Sequence, residues 1–213
     1  MKVILPMFPL NLVAFPGEKL NLHIFEPRYR QMIMECFENS TSFGIPPVIE
    51  NKPLKIGTEM QVLEISHTYD DGKMDIKTLG IQAFNLIDFH SKMEDKLYPC
   101  GEIERIQDDS ETDIILAGRV LNLVKELYEM MKMNNEIPKF DSAFRIGEIA
   151  HKIGLNYQQE IALLKIKNEV QRLEFVESHL MKLIPIVGEM EILRKKVQMN
   201  GHFKNIIPPD LKL

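Results

Sequence analysis

The chain has 213 residues, 26 of them basic and 31 acidic, for a net charge of −5, and at about 150 residues per domain that is one large domain or two modest ones. A content of 45% hydrophobic and 27% charged residues excludes a largely disordered chain, and the acidic balance argues against nucleic acid or an anionic membrane as partner, since both are held mainly through neutralised phosphates. Cys36 and Cys100 are the two thiols, with no CxxC pair to begin a zinc site, and they read as free thiols of a reducing compartment.

The opening segment, MKVILPMFPLNLVAF, places Lys2 before an apolar run as a leader peptide does, but Pro6, Pro9 and Asn11 interrupt the run and no small-residue cleavage site follows. Elsewhere no apolar stretch reaches the roughly 20 residues of a membrane span. A cytoplasmic location is therefore expected. Leu20, Leu22 and Ile24 alternate as a half-buried strand does, and Met60, Val62 and the run from Ile81 to Ile87 give further strand-like pieces. Pro16-Gly17, Pro46-Pro47, Asp71-Gly72 and Gly80 punctuate them, and Asp71-Gly72 predicts a hairpin. The early prolines predict an edge strand or a bulged start. One helix interrupts this half: Pro27 suits a first helical position, Tyr29, Met32, Ile33, Cys36 and Phe37 form one stripe, and the helix ends by Asn39-Ser40. It is expected to plug or pack on a small, strongly bent sheet or barrel.

Beyond about residue 108 the hydrophobic period becomes that of a helix. Ile114 to Met131 carries a stripe through Ala117, Val120, Leu121, Val124, Leu127 and Tyr128. After a polar loop from Asn134 to Asp141, Ser142 can cap a short helix with Ile146, Ile149, Ala150 and Ile153 inward and Gly154 at its end. Asn156 with Gln159, and Asn168 with Gln171, repeat a capping-box-like spacing that predicts two further helix starts. The last helix runs through Val170, Leu173, Val176, Leu180, Leu183, Val187, Met190, Leu193 and Val197 with coiled-coil-like gaps, and Pro185 is expected to kink or split it near Leu183. The acidic stretch Asp108 to Glu111 is the expected boundary between the halves.

Catalytic motifs are missing from these 213 residues. There is no GxxxxGK[ST] loop for nucleotide phosphates, no GxGxxG, no HExxH among the six histidines, and neither GxSxG nor SxxK around any serine. No cofactor or metal is expected.

The segment from Leu5 to Ile33, with Pro6-x-Phe8-Pro9-Leu10, Phe15-Pro16-Gly17 and His23-Ile24-Phe25-Glu26-Pro27-Arg28-Tyr29, closely resembles the opening of the amino-terminal substrate-binding domain of Lon-type ATP-dependent proteases, especially its stand-alone versions. Ile56-Gly57-Thr58, Asp71-Gly72, Gly80 to Phe84 and Tyr98 to Glu104 fall where that family has its next strands, although Gln82-Ala83 stands where a basic residue is usual. Phe144 to Val197 resembles, more loosely, the helical part that leads toward the ATPase module. The resemblance implies an α+β fold: a PUA-like bent β-sheet or barrel subdomain with one inserted helix over 1–108, an α-helical bundle ending in a long helix over 111–200, and a tail over 201–213. It also implies a non-catalytic module that binds unfolded or tagged protein substrates, as an adaptor for or competitor of proteolysis and with a protease as a further partner. The alternatives are a hydrolase whose site is assembled only by folding, and RNA binding, a common role of PUA-like folds that the spread of Lys52, Lys55, Lys73 and Lys77 weakens.

Two groups of residues are candidates for contact with substrate. Met7, Phe8 and Phe15 are expected at a partly unpaired edge kept open by the prolines, with Phe43 and Ile45 of the Gly44 loop extending the same apolar patch. His23, Glu26, Pro27, Arg28 and Tyr29 read mainly as a structural corner, with Glu26 facing the helix amino terminus, an Arg–carboxylate pair and a packed tyrosine, and with ligand binding as the second reading. Thirteen methionines, including Met32, Met34, Met60 and Met74 in the first half and the cluster Met130, Met131 and Met133, fill core gaps or form an adaptable surface.

Overall fold

The computed structural model describes residues 2–107, 113–133 and 145–203. Its first half is an antiparallel sheet in the order β1 (Lys2–Pro6), β8 (Cys100–Arg105), β7 (Met74–His90), β6 (Ile56–Thr68) and β3 (Ser42–Ile45), with β2 (Lys19–Ile24) paired to the far half of β7. A second, two-stranded sheet joins β4 (Val48–Ile49) to β5 (Lys52–Pro53). The hairpin between β6 and β7 turns at Asp71-Gly72, where Gly72 adopts φ +78° and the Tyr69 amide donates to the Lys73 carbonyl.

The two ends of the main sheet meet. Met7 lies parallel to Gly44 and Leu10 to Pro47. The Met7 amide donates to the Pro99 carbonyl at 2.8 Å, and on the opposite side the Phe8 amide donates to the Gly44 carbonyl at 2.7 Å. The Leu10 amide then reaches the Pro46 carbonyl. Pro6 and Pro9, which have no N–H to donate, stand between residues that do, so the prolines accompany closure of the sheet at this point.

Helix α1 (Pro27–Glu38) lies on the sheet and buries Tyr29, Met32, Ile33 and Cys36 against Phe8, Ile24, Phe43, Ile45, Met60, Met74 and Ile76. At roughly 25 cal/mol per Å² of apolar surface, burial of this stripe, rather than helix propensity, holds the element in place. Its N-cap is Glu26, but the Glu26 carboxylate makes no capping bond. It is taken by Arg28, whose Nε lies 2.8 Å away, so the expected helix-dipole contact gives way to an exposed ion pair.

The second half is helical. Asp113 caps α2 (Ile114–Met130) by accepting from the Ile115 and Leu116 amides. The expected short helix near residues 146–153 is instead two 3₁₀ turns, Ile146–Glu148 and Ala150–Lys152, with Ile146, Ile149, Ala150 and Ile153 inward as read; the proposed cap Ser142 lies outside the described residues. Asn156 and Gln159 form the capping box of α3 (Tyr157–Lys165), and the Asn168 side chain accepts from the Gln171 amide at the start of α4 (Glu169–Phe203). Pro185 does not split α4. It sits on an exposed face, where water can satisfy the carbonyl left without its N–H partner.

The helices do not form a core of their own. Leu116, Val120, Val124, Leu127, Tyr128, Leu173, Val176 and Leu180 share one apolar cluster with Val13, Phe15, Ile56 and Ile106 of the first half. The expected boundary at 108–111 lies outside the described residues, and α4 runs through Phe203, across the expected division at 200.

Candidate functional site

The patch expected from Met7, Phe8, Phe15, Phe43 and Ile45 is not a surface. Met7, Phe43 and Ile45 are fully buried, Phe15 is 2% exposed and Phe8 7%. The physical reason is the sheet closure just described: the segment carrying Gly44 is strand β3, paired with β6, so its side chains alternate into the barrel and under α1. The corner residues behave as a structural unit. Tyr29 packs at 4.2 Å ring-centroid distance from Phe8, the Arg28 guanidinium lies over the Tyr29 ring, and burial pushes the Tyr29 hydroxyl pKa up. The exposed His23 is 2.7 Å from the Asp75 carboxylate on β7. Of the methionines, Met32, Met60 and Met74 are core, and Met34 and Met131 are exposed but far apart in sequence.

What the fold leaves open is the other end of the opening strand. Strand β1 pairs with β8 along one edge, and no other strand pairs with Lys2–Leu5 among the described residues. Backbone groups alternate sides along a strand. Because the Met7 amide points to β8 and the Phe8 amide to β3, Val3 and Leu5 face β8, and the N–H and C=O of Ile4 face away from it. The Val3 and Leu5 side chains pack into the barrel with Phe84 and Ile103, and the Ile4 side chain, 63% exposed, stands outside.

Beside this edge lies a groove of about 670 Å³. One wall is Val3–Pro6; the other is the end of α1 with Thr41 and Ser42. Its floor at one end is a fixed polar network. Glu35 accepts from Tyr98 Oη at 2.7 Å and from Lys96 Nζ at 2.9 Å, and the Leu97 amide is tied to Gln31. Lys96 and then Tyr98 hold the Glu35 carboxyl below its ordinary pKa, and burial together with Glu35 raises that of Tyr98. At the other end Glu59 is buried. Burial alone would raise its pKa, but the Arg105 guanidinium at 2.7 Å and the Ser42 hydroxyl outweigh that and lower it. Each groove carboxylate is thus paired; the Val3–Pro6 wall is apolar, and the facing wall carries Asn39, Ser40, Thr41 and Ser42.

Ile81 closes the groove. Glu59 opposes Gln82 while Met60 opposes Gly80, so Ile81 is the extra residue of a β-bulge, and its side chain is pushed out to solvent. On its other side Ile81 also lines a cavity of about 350 Å³ where the two halves meet, bounded by Phe15, Pro16 and Gly17 and by the Glu169–Arg172 ion pair. A Cβ on Gly80 would collide with the Phe15 carbonyl, and one on Gly147 would come within 2.5 Å of the Pro16 carbonyl, so both glycines permit this close packing. In place of the usual basic residue, Gln82 donates to the Ile106 carbonyl at 2.6 Å. No group of three or more His, Cys, Asp or Glu side chains that could hold a metal occurs among the described residues, and no described helix is long and apolar enough to cross a membrane.

Comparison with known proteins agrees with this architecture. The fold matches the crystal structure of a Lon N-terminal domain protein from Xanthomonas campestris, with TM-score 0.62 and 24% identity over 81% of this chain and 95% of that one. It equally matches the N-terminal domain of Mycobacterium avium complex Lon protease, with TM-score 0.62 and 13% identity over 84% of this chain and 98% of that one. In sequence, a LON peptidase N-terminal domain and RING finger protein of Schizosaccharomyces pombe is 28% identical over 123 residues, which are 49% of this chain and 24% of that protein. The chain therefore spans about a quarter of the length of that curated relative. The model of the ATP-dependent protease La (LON) substrate-binding domain matches residues 4–182, and the chain belongs to that family.

Proposed function

We propose that this protein binds extended apolar segments of protein substrates by adding them as a strand to the open edge of β1, without cleaving them. The observation that carries this reading is the edge at Ile4, whose N–H and C=O no strand pairs among the described residues, beside a groove with one apolar wall. An unfolded segment brings the same two things whatever its sequence, backbone hydrogen-bonding groups and apolar side chains, so this site suits varied partners. A ladder bond contributes little net free energy by itself, about 1 kcal/mol, so affinity depends on the apolar side chains of the Val3–Pro6 wall and register depends on the edge.

The test uses one substitution that separates the two edges of β1. Ile4→Pro removes the N–H that faces the groove and leaves the bonds of Val3 and Leu5 to β8 untouched. Fluorescence anisotropy with labelled casein should show loss of binding for Ile4→Pro while the melting temperature stays within a few degrees of the parent. Unchanged binding would remove the β1 edge from the mechanism. Casein incubated with the protein, with and without ATP, should stay intact; degradation would overturn the non-catalytic reading. An adaptor should accelerate casein degradation by an added ATP-dependent protease, and a competitor should slow it.

A further inference from the structure

The carboxy-terminal half of α4 carries an apolar stripe that stands exposed, uncovered by the described residues of the body. Up to Ile184 the helix packs inward through Leu173, Val176, Leu180 and Ile184. From there Ile186, Met190, Leu193 and Val197 are each more than half exposed. Their gaps of four, three and four are those of a coiled-coil seam. At 3.6 residues per turn the inward stripe and this second stripe are centred roughly 110° apart, so the second is a separate face of the helix and the body does not shadow it. Pro185 and Gly188 fall outside the seam, and a Cβ on Gly188 would meet nothing within 4 Å. The seam begins beyond the family match, which ends at residue 182.

We propose that this face pairs with the same face of a second copy of the chain as a short parallel coiled coil. With Met190 and Val197 at the first core position of the heptad and Ile186 and Leu193 at the fourth, Glu189 and Arg194 flank the seam on opposite sides. They are five residues apart, the spacing at which a parallel pair brings each Glu189 against the partner's Arg194. In the single chain Arg194 rests 3.4 Å from Glu191, a loose and exposed contact that the partner's carboxylate can replace. A stripe of four large apolar side chains with matched flanking charges fits a copy of itself, since a two-fold pair presents identical apolar layers to one another. The helix is already formed by its packed first half, so pairing carries no cost of helix nucleation. The seam spans only about 17 Å at 1.5 Å per residue, so a reversible dimer of micromolar rather than nanomolar affinity is expected.

Sedimentation velocity of the full chain across a concentration series tests this. The parent should shift from monomer to dimer, and Met190→Glu or Leu193→Glu should weaken association at least tenfold with an unchanged melting temperature at low concentration, since both residues are exposed. Glu189→Arg should weaken it through Arg–Arg repulsion, and Glu189→Arg with Arg194→Glu should restore it. A parent that stays monomeric, or variants that associate as well as it does, would overturn the pairing. Failure of the double exchange to restore association would overturn the parallel arrangement.

Discussion

The β half has a sealed side and an open side, and one continuous segment, Lys2 to Leu10, runs through both. Around Met7 to Leu10 successive amides find partners on either hand, Pro99, Gly44 and Pro46, and beneath them Val13 and Phe15 join the apolar cluster of the helices. Four residues earlier, within β1, the same segment is paired on one edge only. The composition of the two stretches hardly differs, since both are apolar and punctuated by proline. What differs is the company they keep: β3 and the helical half bond to or pack on the first stretch, whereas at Ile4 the end of α1 with Thr41 and Ser42 stands across a groove and no strand among the described residues pairs with the edge. An open edge next to a sealed one is stable because the sealed side holds the strand in register, leaving the open side able to accept another chain.

The most severe way to break this contrast is to remove the helices. A chain ending at residue 107 would expose Val13, Phe15, Ile56 and Ile106, which pack against α2 and α4. It should be insoluble or lack a cooperative melting transition by circular dichroism; a soluble, cooperatively folding fragment would show that the β half carries its own sufficient core. Next in size are substitutions of the sealed wall. Phe43→Ser and Met7→Ser each leave a cavity and an unmatched hydroxyl in a fully buried position, and should cost about 3–5 kcal/mol in urea denaturation.

Those two residues also mark where sequence reading stops. Helix α1, the Asp71-Gly72 hairpin and the caps at Asn156 and Asn168 were legible because each depends on residues within a few positions of one another. In sequence Phe43 and Ile45 read as part of an exposed loop, because the three residues between Ser42 and Pro46 carry too little pattern to show a strand, and only the pairing with β6, some seventeen residues on, buries them. The groove was hidden for the complementary reason. Val3, Ile4 and Leu5 are all apolar, so no alternation distinguishes the exposed one, and which side each faces is fixed by the register with β8, about a hundred residues away. Ile81 likewise looks like any strand residue until the bulge at Glu59 and Met60 turns it outward.

A smaller effect tests the clasp that helps to hold the seal. His151 lies between Glu18 of the β half, at 3.2 Å, and Glu160 of α3, at 2.7 Å, and its ring edge meets Phe15. Glu18 also accepts from the Phe15 amide. The hydrogen bond to Glu18 is the main reason that the imidazole pKa rises from its ordinary 6.5 to about 9, against the opposing effect of burial. A raised pKa means that the folded state holds the proton more tightly than the unfolded one. The contribution of the clasp is therefore fully present below pH 6.5 and declines as pH rises through about 9. Denaturation profiles between pH 6 and 10 should show the parent losing stability relative to His151→Ala over this window, with no difference in slope if the imidazole is not charged.

The smallest stability change is expected at Ile4, and its smallness is the sharpest form of the contrast. Leu5 is 6% exposed and packs with Phe84 and Ile103, so Leu5→Ala should cost roughly 2–5 kcal/mol. Ile4, its neighbour in the same strand, points outside and makes no such contacts, so Ile4→Ala should change stability by no more than about 0.5 kcal/mol. Casein binding should order the two the other way, because Ile4 supplies apolar surface at the groove and Leu5 supplies only the wall behind it. If Ile4→Ala proved as costly as Leu5→Ala in urea, the outer face of β1 would be packed rather than open. The edge would then have no room for a substrate strand, and recognition would have to be sought elsewhere on the molecule.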